Sequence, residues 1–132
     1  MHLGNLADAT PFTTKDGSTI REVAGPVSLP TDNQSLAEAT VPPTGATTAH
    51  LHRITEELYF FTAGHGRLRL GDEEREVGPG DCVVIPPGTP HKLFNDSDTE
   101  DLTLLCCCAP AYSDADTELL EPEVDARPDT AT

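Results

Sequence analysis

Turn-forming residues interrupt this chain repeatedly, and that punctuation favours short strands over a helical bundle. Gly25-Pro26, Pro42-Pro43, Gly64-His65-Gly66, Gly71-Asp72, Gly78-Pro79-Gly80 and Pro86-Pro87-Gly88 are the main breaks, drawn from ten glycines and twelve prolines. Proline removes a backbone donor and glycine opens turn conformations, so each break closes one run and starts the next. Between them lie apolar or alternating segments at 20–23, 34–41, 58–62, 67–70, 76–77, 82–85, 91–95 and 102–108. Segment 34–41 carries alanine and leucine that suit a helix, but its alternation and the Pro42-Pro43 stop favour a strand. Strands at this spacing predict an all-β fold, a small antiparallel sandwich or barrel.

With 132 residues the chain is expected to form one domain. Its composition divides it into an irregular N-terminal segment over 1–17, a β-barrel over 18–112 and an acidic C-terminal tail over 113–132. The last eight to ten residues of that tail are expected to be disordered. The formal charge of −15 repels phosphate backbones and anionic lipid, which argues against nucleic acid and membrane surfaces as partners. No apolar run of about 18 residues is present, and the N-terminus lacks the basic-then-apolar layout of a signal peptide. A cytoplasmic location is the expectation. Four cysteines, three of them consecutive at 106–108, make no disulfide framework, because neighbours on a strand face opposite sides. Cys106, Cys107 and Cys108 read as small hydrophobes on a terminal strand, in a reducing compartment.

The chemistry-bearing residues fall near these turns. His50 and His52 stand one residue apart, so on an extended chain they point to the same side. Glu57 lies five residues beyond His52, in phase with Tyr59 and Phe61, and His91 follows the Pro86-Pro87-Gly88 turn. Three neutral imidazoles and one carboxylate suit a borderline divalent ion such as Fe, Mn, Ni, Co, Cu or Zn. In an octahedral field four protein ligands leave two positions open, whereas structural zinc sites close all four, often with thiolate. Glu56 is expected to point away into solvent, and His65 to be an exposed turn residue.

The stretch from Gly45 through His50, His52 and Glu57 to Gly64 resembles the first conserved motif of the cupin superfamily. That motif has two histidines separated by one residue, then a glutamate, six residues and a glycine. Six residues separate Glu57 from Gly64, which selects it over Glu56; four separate Gly45 from His50 where the usual pattern has five. The second motif matches throughout, at Gly80, Pro86, Gly88, His91 and Asn95. The resemblance spans about residues 18–110. It implies a double-stranded β-helix, a jelly-roll cupin barrel of six to eight strands, with a metal inside its mouth. It carries over His50, His52, Glu57 and His91 as ligands of one divalent transition metal ion, Fe, Mn, Ni or Zn.

Cupins similar to this chain include dioxygenases, sugar isomerases and epimerases, polyketide cyclases, sulfonium-compound lyases and storage or sensor domains. The resemblance therefore implies a metal-dependent small-molecule enzyme, with oxygenase chemistry placed ahead of isomerase, cyclase or lyase chemistry. A non-catalytic metal- or ligand-binding cupin is the rival reading. Tyr59, on the Glu57 face, is the candidate catalytic proton donor or base, and equally a candidate aromatic core residue. Tyr112 is placed to cap the mouth, and Asn95 to fix a loop by hydrogen bonding. Phe60, Phe61 and Phe94 are expected in the core. Lys92 and the arginines fall on the opposite phase or in turns, so a neutral or aromatic substrate that chelates through oxygen is expected. A small sandwich has edge strands to cover, so a homodimer is expected.

Overall fold

The structure is a computed structural model that describes residues 1–122, and in it two antiparallel sheets face each other. One sheet has six strands, ordered β1 (Phe12–Thr13), β2 (Thr19–Ala24), β3 (Ser35–Val41), β10 (Leu102–Ala109), β5 (Glu56–Ala63) and β8 (Cys82–Ile85). The other has five, ordered β11 (Thr117–Leu119), β4 (His50–His52), β9 (His91–Phe94), β6 (Gly66–Leu70) and β7 (Glu73–Val77). Chain neighbours repeatedly change sheet, as β4 and β5 do, which is the winding of a jelly roll. No helix among the described residues is long and apolar enough to cross a membrane.

Alternation decides what each strand buries. On β5, Glu57, Tyr59 and Phe61 are buried while Glu56, Leu58 and Phe60 are exposed. Phe61 is fully buried and meets Ile85, Leu102 and Leu104 of its own sheet and Leu68 and Leu93 of the facing one in a single cluster. The two cupin motifs lock together through backbone: Gly80 N–H donates to Phe61 O at 2.8 Å, and Phe61 N–H donates to Asp81 O at 2.9 Å. Gly64, at φ +81°, closes the turn after β5 in a conformation that L side chains rarely adopt. A Cβ there would also collide with the backbone of Asp101 and Leu102.

Several expectations need correction. Phe60 is not in the core: it is 43% exposed, because it has the opposite phase to Phe61. Phe94 is only half-buried, with the Arg67 guanidinium 4.2 Å above its ring. The cysteine triplet lies on β10, between β3 and β5 in its sheet, and one short strand, β11, follows it in the chain. The strand expected at 76–77 begins earlier, at Glu73, because Glu73–Val77 pairs residue for residue with Gly66–Leu70. Two short strands lie where irregular chain was expected. Phe12–Thr13 pairs with Thr19 and Ile20, and Thr117–Leu119 pairs with His50–His52 across the acidic segment. Both are too short for any periodic signal to register. The disorder expected for the last eight to ten residues lies outside the described residues.

Candidate metal centre

His50, His52 and His91 converge between the sheets, and all three are buried. Their ligating nitrogens lie within 4.8 Å of one another. Period two puts His50 and His52 on one side of β4, and the only Cα-paired rung between β4 and β9 is His50 against His91. The turn that delivers His91 is tied to the first motif, since Gly88 N–H donates to His52 O at 2.6 Å. Gly88 takes φ +78° to make that turn.

Hydrogen bonds fix which nitrogen each ring offers. His50 Nδ1 lies 2.7 Å from Thr48 O, and His91 Nδ1 lies 3.0 Å from Thr89 O. A carbonyl can only accept, so both rings carry their proton on Nδ1. His52 Nδ1 lies 3.0 Å from Thr117 Oγ1, whose own hydrogen is directed to Ser113 O. Thr117 therefore accepts, and His52 takes the same tautomer. Three Nε2 lone pairs face one point.

Carboxylates flank that point on two sides. Glu57 Oε1 lies 3.2 Å from His52 Nε2 and 3.7 Å from His91 Nε2. Asp16 Oδ2 lies 3.5 Å from His50 Nε2. Glu57 Oε1 and His91 Nε2 are buried with no hydrogen-bond partner. With neutral rings, the centre is a ring of acceptors lacking a donor, which is costly unless a cation sits among them. The donor set thus fits a divalent ion.

Neighbouring groups sharpen the chemistry. Burial pushes the Tyr59 phenol well above its ordinary range, and the Glu57 charge adds to this, so Tyr59 keeps its proton. Its ring meets His91 edge-on at 6.0 Å. Burial and then Glu57 likewise push up the thiols of Cys106 and Cys108, and Cys108 Sγ donates to Glu57 Oε2 at 3.4 Å. Protonated thiols of this kind are poor metal ligands. Burial alone would raise the Asp16 carboxyl, but the His50 ring and hydrogen bonds from Ser18 and Thr14 outweigh it and hold it below the usual range.

Burial, helped by the His50 ring, lowers His91 to about 4 against the Glu57 charge and the Thr89 carbonyl. An unfolded chain protonates this imidazole below about 6.5, while the folded one resists until about 4. The metal-free protein is therefore expected to lose on the order of 3 kcal/mol between these pH values, with no further loss from this residue below. Urea titrations across that window check it, and the His91→Gln protein is expected to show a flatter profile.

The four expected ligand residues thus lie together, with Glu57 contacting two of the three rings rather than belonging to the mutually close set, and of the four His50, His52 and Glu57 line the cavity. Glu56 and His65 are exposed. Asn95 is buried and donates to Val41 O and Glu100 O while accepting from Ser97 N–H, which fixes the loop after β9. Tyr112 lines the cavity, its ring 5.8 Å from that of His52. Sequence reasoning missed Asp16 and Thr117. Both lie in segments whose polar composition reads as irregular, and neither belongs to a spaced motif. The only local signal was the turn chemistry of Thr14-Lys15-Asp16-Gly17-Ser18.

The cupin domain family matches residues 37–108, and the chain belongs to that family. The uncharacterized protein MJ1618 of Methanocaldococcus jannaschii is 47% identical over 111 residues, covering 84% of this chain and 88% of that one. The polyketide cyclase RemF of Streptomyces resistomycificus superposes with a TM-score of 0.78 at 23% identity, over 95% of this chain and 89% of that one. Pac13, a nucleoside dehydratase of Streptomyces, superposes with a TM-score of 0.74 at 16% identity, over 96% of each chain. At these identities the two structures share the fold with this chain.

Proposed function

We propose that this cupin is a metal-dependent enzyme acting on a small, uncharged molecule that carries at least two oxygen donors. The observation that carries the reading is the convergence of three buried imidazoles, with Glu57 Oε1 orphaned beside two of them. His50, His52, His91 and Glu57 would hold the ion. When bound, it would supply Lewis acidity, polarising a carbonyl or hydroxyl oxygen of the substrate. The cavity at the barrel mouth, about 60 Å³, is lined by Asp16, Glu22 and Glu57 and, among the described residues, by no lysine or arginine. Its field disfavours phosphates and carboxylates. An apolar wall that includes Ile20, Val41 and Leu104 suits a hydrocarbon or aromatic body.

Within that class, Tyr59 favours non-redox chemistry. A phenol that keeps its proton beside the centre can donate a hydrogen bond to a leaving or rearranging oxygen, which stabilises charge developing there in isomerisation, dehydration or cyclisation. RemF is a polyketide cyclase and Pac13 a nucleoside dehydratase, so this barrel accommodates such reactions elsewhere. Oxygenase chemistry is the second reading, favoured by the two positions that four protein donors leave open. Protein purified without added metal is expected to hold about one divalent ion per chain. Loaded separately with Fe(II), Zn(II) and Mn(II), it is then offered catechols, β-diketones and β-hydroxyketones. Turnover without oxygen uptake is expected. Oxygen consumed in step with substrate would overturn the non-redox reading, and full turnover by chelator-stripped protein would overturn metal dependence.

The partner we propose for the outer face of the six-stranded sheet is a second copy of the chain. Leu58 pairs with Val84 and Cys107, Phe60 with Cys82 and Leu105, and Cys107 with Leu36, so these outward side chains adjoin. Four of them are among the exposed large hydrophobics. Their centre carries no charge, so two strongly acidic copies can meet there without apposing carboxylates. At its flank Arg21 pairs with Glu38, offering opposite signs to a two-fold mate. A stable pair needs roughly 800 Å² per partner, so the pairing would extend beyond these side chains to the rim of the sheet. Light scattering is expected to give twice the 14.1 kDa chain mass for wild type and one chain mass for Phe60→Glu. A monomeric wild type would contradict the pairing.

A further inference from the structure

We propose that Asp16 is a substrate-recognition residue of this centre, whose Oδ2 accepts a hydrogen bond from a hydroxyl of an uncharged ligand and bars anionic ligands. The inference rests on the metal-centre reading and adds to it a residue from outside both cupin motifs.

Asp16 belongs to the turn between β1 and β2, which lies against the mouth of the barrel. Three contacts hold the turn there. Thr48 N–H donates to Asp16 O at 2.7 Å, and Lys15 Nζ donates to Thr117 O at 2.7 Å and Asp114 O at 3.3 Å. The carboxylate itself is pinned at one oxygen only. Oδ1 accepts from Thr14 Oγ1 at 2.8 Å, Ser18 N–H at 2.9 Å and Ser18 Oγ at 2.7 Å. Among the described residues Oδ2 accepts no hydrogen bond, and it faces His50 Nε2 at 3.5 Å. With three donors on Oδ1 the carboxylate is held in place and aimed at the cavity, with one oxygen uncommitted.

Its position separates it from the four ligands. Glu57 bridges His52 and His91, whereas Asp16 approaches His50 alone, on another side of the cluster. Two of its neighbours on the cavity wall, Thr14 and Ser18, already direct their hydroxyls to Oδ1. Among the described residues the free oxygen thus has no donor, and a ligand can bring one. A hydroxyl supplies one. A carboxylate supplies only acceptors, and would place negative charge against Asp16 where no lysine or arginine among the described residues lines the cavity. The ligand class is a diol, phenol or hydroxycarbonyl compound that keeps one hydroxyl proton on binding. The role requires no proton exchange by Asp16.

The test compares Co(II)-loaded wild type, Asp16→Asn and Ser18→Ala, with catechol and oxalate as probes read by the visible absorbance of the ion. Co(II) affinity, measured by competition with a chromophoric chelator, is expected to stay within about threefold across the three proteins. Asp16→Asn is expected to weaken catechol by about tenfold and to tighten oxalate by about tenfold. Ser18→Ala, which frees the carboxylate without changing its charge, is expected to weaken catechol and leave oxalate unchanged. A larger loss of Co(II) affinity in Asp16→Asn would make Asp16 a metal ligand and overturn the proposal. Catechol and oxalate moving together, or neither moving, would overturn it as well. Failure of wild type to take up Co(II) would remove the centre itself, and the proposal with it, at the first step.

Discussion

Replacing His91 with alanine is expected to cut metal affinity by at least about 100-fold and to leave the purified protein with little bound metal. Loss of a ligand is more severe than loss of an outer hydrogen bond to one, which already costs about 10- to 100-fold. His91 is the proposed ligand from the second motif, and among the described residues its Nε2 is one of the two buried side-chain polar atoms without a hydrogen-bond partner. The fold should tolerate the change in metal-free protein, because β9 remains held by its ladder with β6. Elemental analysis and a chelator competition check the effect. The comparison with Asn95→Ala is informative, since Asn95 fixes the neighbouring loop without facing the centre. That variant is expected to lower stability and to keep its metal.

Phe61→Ala is expected to destabilise the protein by about 3–5 kcal/mol, enough to leave it partly unfolded at ordinary temperature if total stability is typical of a small domain. Phe61 is fully buried in the cluster that joins the two sheets, so its removal leaves a cavity that strands on both sides cannot close. It also lies two residues from Tyr59 and four from Glu57 on the same face of β5. Loss of metal affinity should accompany the loss of stability. Phe60→Ala, one residue away on the outer face, is expected to cost less than about 1 kcal/mol in the monomer. Denaturant titration of the two variants side by side checks the contrast.

The parts of this structure that were legible in the sequence are those set by period two and by turn residues. Glu57, Tyr59 and Phe61 share a buried face because alternation demands it, and His50 and His52 do so for the same reason. Gly88 and the adjoining prolines marked where the chain turns to deliver His91. The same rule placed Phe60 outside, and its aromatic character alone had suggested core; phase outweighs residue type on a two-faced strand. Asp16 and Thr117 were not legible, because what they do depends on contacts between segments far apart in the chain. Asp16 reaches His50 only because the β1–β2 turn lies on the barrel mouth, and Thr117 orients His52 only because β11 pairs with β4. Strands of two and three residues leave no periodic trace from which such contacts could be inferred.

The direct test of the central claim is anomalous diffraction from crystals of the metal-loaded protein, recorded at the absorption edge of the bound ion. A single peak is predicted between the sheets, within bonding distance of Nε2 of His50, His52 and His91 and of Glu57. A peak elsewhere, ligation through a cysteine sulfur, or a fully loaded protein without density among these residues would contradict the account.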